Sequence, residues 1–203
     1  AQISPEMFAD CAALHFCSVD LVDWPVRGAH RRAIKLAREA GALISFDPNV
    51  RLPLWSSPAD CQAAIRAFLP SADLVKLSDD EVEFVTGCKD ERAAAKQLFE
   101  GGCKLLLVTR GANGSAVYTP QTEAFADTLS VPVTDTTGAG DSFIGSFLYQ
   151  LTRDGVGVND LSTLPQAQLE TYLRFSAQYA SLTVQHKGAV MATLDELKQA
   201  YPN

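Results

Sequence analysis

The stretch Val131–Gly145 reads VPVTDTTGAGDSFIG and concentrates the residue types that could do chemistry. At its centre are three small residues, Gly138-Ala139-Gly140, followed at once by Asp141 and then by Phe143, Ile144, Phe147 and Leu148 at helical spacing. That order predicts a strand ending near Thr134, a glycine-rich turn, and a helix with Asp141 in its first turn. The start of a helix offers unpaired backbone N–H groups and the positive end of the macrodipole, which together attract an anion. Residues this small let a phosphate come close to those N–H groups. A carboxylate in the same turn would repel a phosphate, but it has a use if it takes the proton of a hydroxyl attacking that phosphate. The plainer alternative is that Asp141 caps the helix and the glycines only shape a turn.

The elements that must position this turn follow from the hydrophobic pattern. Apolar runs at Ala12–Cys17, Leu43–Phe46, Leu74–Leu77 and Lys104–Thr109 read as short strands, the last a central one buried on both faces. Between them lie helices: Pro25–Ala40, with Ala33, Ile34, Ala37 and Ala40 as its inward stripe; one opened by Ser57 or Asp60 and closed by Pro70; one from Ser78 to Gly87; and Asp90–Glu100, with Ala94, Leu98 and Phe99 inward. Ser4–Ala9 predicts a short leading helix. Segments around Ala116–Tyr118 and Ala124–Ala126 predict a small antiparallel edge. Helices are predicted over Gln166–Val184, with Leu169, Leu173, Ala177, Ala180 and Val184 inward, and over Thr193–Ala200.

Strands alternating with amphipathic helices predict an α/β fold with a mostly parallel sheet, whose ligands bind beyond the carboxyl ends of the strands. Three of those ends carry polar residues: Asp47-Asn49-Arg51, Ser78 to Glu81, and Thr109-Arg110-Gly111. Asp135 to Asp141 supplies a fourth polar edge to the same rim.

Composition narrows the classes. At 203 residues the chain has room for one sizeable core. The net charge of −7 argues against nucleic acid or an anionic membrane as a bulk partner. No apolar run approaches a membrane span, and AQISPEMFAD lacks the basic-then-apolar order of a secretory signal, so a cytoplasmic setting is expected. Cysteines 11, 17, 61, 88 and 103 are scattered without metal spacing and read as free thiols. The isolated His15, His30 and His186 suggest no metal site.

With these residues in place, DTTGAGDSFIGSFL resembles the C-terminal signature of the ribokinase-like (PfkB) carbohydrate kinases. Ser146 departs from it, standing where the family usually has Ala or Gly. FDPNVRLPLW resembles the Asp-x-Asn-x-Arg stretch of the family's fructokinases, and VKLSDDEVEFVTG its Asn-x-x-Glu segment, with Ser78 in place of Asn and Glu81 retained. LLLVTRGANGSAVY resembles the nucleotide-binding strand and glycine turn; QHKGAV resembles the loop that closes over adenine and, in many members, a monovalent cation.

The resemblance covers essentially the whole chain and implies a three-layer αβα fold. It implies that residues 1–203 are the C-terminal, nucleotide-binding and catalytic portion of a single domain, without the family's N-terminal strands, sugar contacts and β lid. It further implies ATP-dependent phosphorylation of D-fructose at O6, with Mg²⁺, a cation such as K⁺, and a homodimer in the complete protein. Asp141 would be the base, with Gly138, Ala139 and Gly140 as the anion hole. Thr109, Gly111, Gly114, Arg51, Lys187 and Gly188 would bind the nucleotide, Glu81 would hold Mg²⁺ through water, and Asp135 and Thr137 would line the monovalent-cation site. Alternatives stay open for three residues: Glu81 as a complement to a helix dipole, Arg51 as a surface residue and Asp135 as a turn former. For the whole, they are a 2-keto-3-deoxygluconate or other keto-sugar kinase, or a non-catalytic nucleotide-binding fragment.

Overall fold

The four apolar runs read as strands lie side by side and parallel. The computed structural model describes residues 3–202. It pairs β1 (Ala13–Cys17), β2 (Leu43–Asp47), β3 (Leu74–Ser78) and β4 (Leu105–Thr109) in parallel, then adds β5 (Ser115–Tyr118) and β6 (Glu123–Ala126) antiparallel, in the order β1-β2-β3-β4-β5-β6. Each parallel step is bridged by helix: α1 (Pro25–Glu39), α2 (Pro58–Phe68), then α3 (Asp79–Thr86) with α4 (Glu91–Glu100). Right-handed crossovers that all advance in one direction put these helices on one face of the sheet. There Ile34, Leu36, Ile65, Phe68, Val82, Val85, Ala94 and Leu98 pack against Phe16, Ile44, Phe46, Val75, Leu77, Leu106 and Val108. The opposite face carries Leu43, Leu74, Leu105 and Leu107, covered by α5 (Ala139–Arg153) and α6 (Gln166–Thr183) through Phe143, Phe147, Leu151, Leu169, Tyr172 and Leu173. The chain ends in α7 (Leu194–Ala200), whose N-cap Thr193 accepts from Glu196 N–H. This is the three-layer αβα arrangement that the resemblance implies.

Covering both faces explains why every residue of β2 is buried and why the parallel strands read as runs rather than alternations. The predicted helix stripes need small corrections. Leu36 belongs to the buried stripe of α1 while Ala40 is exposed beyond its end, and in α4 Ala95 is buried where Phe99 is only half covered. The predicted strand ending near Thr134 is absent. Pro132 has no N–H for a ladder and Val133 is exposed; the N–H groups of Thr134 and Asp135 donate instead to the carbonyl of Val184, just past α6, at 2.8 and 3.2 Å.

Candidate active site

Three links tie the start of α5 to the end of α6. Besides the Val184 carbonyl, Ser142 Oγ lies 2.6 Å from Thr183 Oγ1, and Asp135 Oδ2 accepts from Gly188 N–H at 2.9 Å. Asp135 Oδ1 also accepts from the N–H and hydroxyl of Thr137, at 2.9 and 2.7 Å. The structure thus brings together Asp135, Thr137 and Gly188, as expected; Asp135 is a turn former and a cross-link at once. Hydrogen bonds from Thr137, then from Gly188, hold the Asp135 carboxyl below its ordinary pKa.

A carboxyl whose folded pKa is depressed stabilises the fold above its unfolded value, about 3.9, and that contribution drains away as pH falls through the folded value. Asp135→Asn is therefore expected to flatten the loss of stability below about pH 4 and leave its slope near neutrality unchanged. Urea midpoints measured from pH 3 to 7 check this; parallel curves for the two proteins would refute it.

Gly138 is the N-cap of α5 at φ +81°, a left-handed conformation that glycine adopts without steric cost. The 186–190 loop lies directly on it, since a Cβ at Gly138 would meet Ala189 Cβ at 3.0 Å and Cα at 3.1 Å. Of the three N–H groups proposed for an anion, that of Ala139 donates to the Thr136 carbonyl at 3.2 Å. Among the described residues, Gly138 and Gly140 N–H have no protein acceptor, and neither does that of Asp141. Asp141 stands in the first turn of α5, exposed and free of hydrogen bonds among the described residues. An open pair of N–H donors beside an unengaged carboxylate is what proton abstraction next to an anion requires.

Below this turn lies a feature that sequence reasoning missed. Strand registers put Cys17, Asp47, Lys76 and Leu107 in one row, on the face that α5 and α6 cover. Lys76 Nζ donates to Asp47 Oδ2 at 2.8 Å, with 8% and 3% of the side chains exposed. Burial pushes the Asp47 carboxyl up, and Lys76 pulls it part of the way back. Removing one partner of so buried a pair costs about 3–5 kcal/mol. A Cβ on Gly140 would lie 3.2 Å from Lys76 Nζ, so the ammonium sits against the Gly138–Gly140 turn. On the edge strand, His15 Nδ1 lies 3.0 Å from Ser45 Oγ. Desolvation pushes its imidazole down; Asp141 opposes this and Lys76 adds to it. The signal in the sequence is a single lysine inside the strand LVKLS, ambiguous without knowing what covers it.

The other rim residues differ in how firmly they are held. Glu81 is 9% exposed; Oε1 accepts from Val50 N–H at 2.6 Å and Oε2 from Ser78 N–H at 2.9 Å. It therefore clamps the loop after β2 to the start of α3. Each oxygen keeps a lone pair, so the donor set fits a hydrated hard cation through water better than direct ligation. That loop also holds Asn49, at φ +44° the one non-glycine residue of positive φ among the described residues. Arg51 is exposed, makes no ion pair among the described residues and donates only to the carbonyl of Val50. Thr109 ends β4 level with Ser78. Gly111 and Gly114 shape the β4–β5 turn, where Thr128 Oγ1 accepts from Gly114 N–H at 3.1 Å and donates to the Gly111 carbonyl at 2.5 Å. Gly114 is irreplaceable for packing alone, because a Cβ there would collide with the Ala126 carbonyl oxygen. Lys187 is exposed beside Gly188. The described residues contain no cluster of three or more His, Cys, Asp or Glu that could hold a metal, and no helix long and apolar enough to cross a membrane. All five cysteines are free thiols.

Comparison with known proteins agrees with the fold. Fructokinase-2 of Solanum lycopersicum is 39% identical over 193 residues, which are 95% of this chain and 57% of that protein. A fructokinase structure with bound ATP from Xylella fastidiosa superposes with a TM-score of 0.86 at 30% identity, over 98% of this chain and 64% of that one. A fructokinase double mutant from Vibrio cholerae O395, bound to fructose, ADP and potassium ion, superposes with a TM-score of 0.81 at 30% identity, over 97% and 63%. The chain thus spans a little under two thirds of these relatives. The pattern of the pfkB family carbohydrate kinases matches residues 4–196, and the chain belongs to that family.

Proposed function

We propose that this chain is the nucleotide-binding and catalytic portion of an ATP-dependent fructokinase. The observation that carries the reading is the start of α5, where the open N–H groups of Gly138 and Gly140 come just before the unengaged Asp141. In the reaction, Asp141 takes the proton of the fructose O6 hydroxyl as that oxygen attacks the γ-phosphorus. The bond from the γ-phosphorus to the bridging β–γ oxygen breaks, and ADP leaves with that oxygen's charge. The two N–H groups, with the helix N-terminus behind them, meet the charge on the equatorial oxygens.

Bound Mg²⁺ would neutralise the β- and γ-phosphate charge, with Glu81 holding it through water. Asp135, Thr137 and the Gly188 loop are the residues that would hold a monovalent cation, and a Vibrio cholerae relative binds a potassium ion. Arg51, having no competing carboxylate, is the contact for ATP phosphate, and Thr109, Gly111, Gly114 and Lys187 line the nucleotide.

Because the chain spans only 57% of a relative such as fructokinase-2 of Solanum lycopersicum, it is expected to bind ATP and to turn fructose over far more slowly than that relative. Measuring ATP consumption by both proteins across a panel of ketoses tests this. Efficient turnover of 2-keto-3-deoxygluconate and not of fructose would overturn the substrate. Fructose phosphorylation by the short chain at the rate of the longer one would overturn the division of labour.

A further inference from the structure

We infer that the buried Asp47–Lys76 pair is a positioning device for the base-bearing turn, fixing Gly140 from below and placing a permanent positive charge under the anion site. The inference rests on the kinase reading above and concerns residues that reading leaves without a role. Lys76 lies in the middle of β3, where its strand neighbours on the same face, Leu74 and Leu107, are apolar core. An ammonium is costly in such a row, and apolar residues in place of both Lys76 and Asp47 would extend the core at little cost. Its retention needs a reason beyond packing.

Two contacts supply one. Asp47 accepts one Lys76 N–H at 2.8 Å, and Lys76 Nζ lies where the Cβ of any residue but glycine at 140 would press on it, at 3.2 Å. Asp47 also accepts from Asn49 N–H at 3.0 Å, so the same carboxylate sets the loop whose Val50 N–H engages Glu81. One ion pair thus joins the loop after β2, the middle of β3 and the first turn of α5. With 8% of its side chain exposed, Lys76 acts through Gly140 and through its field rather than by touching substrate. A fixed charge in a water-poor site is worth more than the same charge in solvent, and it needs no reorganisation when the phosphoryl moves.

The test uses the kinase and three variants: Lys76→Met, Lys76→Arg, and the neutral double variant Asp47→Asn/Lys76→Met. The double variant leaves no buried unpaired charge, so it keeps the test valid if Lys76→Met fails to fold. Turnover in both Met variants is expected to fall roughly 10–100-fold, the usual loss for a group that orients the reacting one, with KM for ATP within threefold of wild type and partial recovery in Lys76→Arg. Wild-type kcat in the neutral double variant would mean that the pair only fills space, and a loss confined to KM would mean that it shapes ATP binding; either overturns the inference. Asp141→Asn, assayed alongside, separates the two ideas. If it still turns over, the base assignment fails and this inference with it. If it is inactive while the double variant is fully active, only this inference fails.

Discussion

Asp141→Asn is expected to lower turnover roughly 10²–10⁴-fold while leaving ATP affinity and folding nearly unchanged. The substitution keeps the shape of the side chain and removes its ability to hold a proton. Since Asp141 is exposed and makes no hydrogen bond among the described residues, the folded state loses little beyond a favourable charge at the helix start. Such a charge is worth about 0.3–1 kcal/mol. The plainer alternative, a residue serving only the helix dipole, predicts that small stability loss and no kinetic defect, so the two readings diverge by orders of magnitude in kcat. Turnover measured beside calorimetric titration of ATP decides between them. Normal kcat would remove the base from the proposed mechanism, whereas lost ATP binding would move Asp141 into the nucleotide site.

Why this turn was legible and its support was not is a matter of range. The glycines, Asp141 and the helical spacing after them lie within a few residues, so local rules suffice to place a helix start there. The strand runs and helix stripes are local in the same way, and they led to the α/β sheet with only edge errors such as Leu36 for Ala40. The failure at 131–134 is also local in origin: two valines around a proline look like a strand, but strand formation needs a neighbour, and the neighbour there is the end of α6. The spent N–H of Ala139 depends on how tightly Thr136 turns back, which no spacing encodes. Lys76 and Gly140 are far apart in sequence and meet only because α5 folds over β3. A lone lysine in a strand reads equally as a solvent-facing residue or a buried one until the covering helix is known. The joining of Asp135 to Gly188 was anticipated through resemblance alone, because a turn former in one loop says nothing about which other loop it will hold.

Gly138→Ala should lower turnover roughly 10²–10³-fold, comparable to losing an oxyanion donor. At φ +81° an alanine pays about 1–2 kcal/mol of left-handed strain. Its Cβ would also sit 3.0 Å from Ala189 Cβ and 3.1 Å from its Cα, so either the turn or the 186–190 loop must shift by a few tenths of an ångström. A shift of the loop pulls Gly188 N–H from Asp135; a shift of the turn re-aims the open N–H groups of Gly138 and Gly140. Gly145→Ala is the matched control, one to two turns further along the same helix, where the added Cβ meets only Met191 Cε at an ordinary 3.9 Å. There a helix-interior alanine should be neutral or stabilising by up to about 1 kcal/mol, with kcat unchanged. Comparing kcat and melting temperature for the pair separates the two causes. Equal melting temperatures with a large kcat gap would mean that rate depends on the aim of the N–H groups. Wild-type turnover in Gly138→Ala would mean that the anion is held elsewhere on the rim.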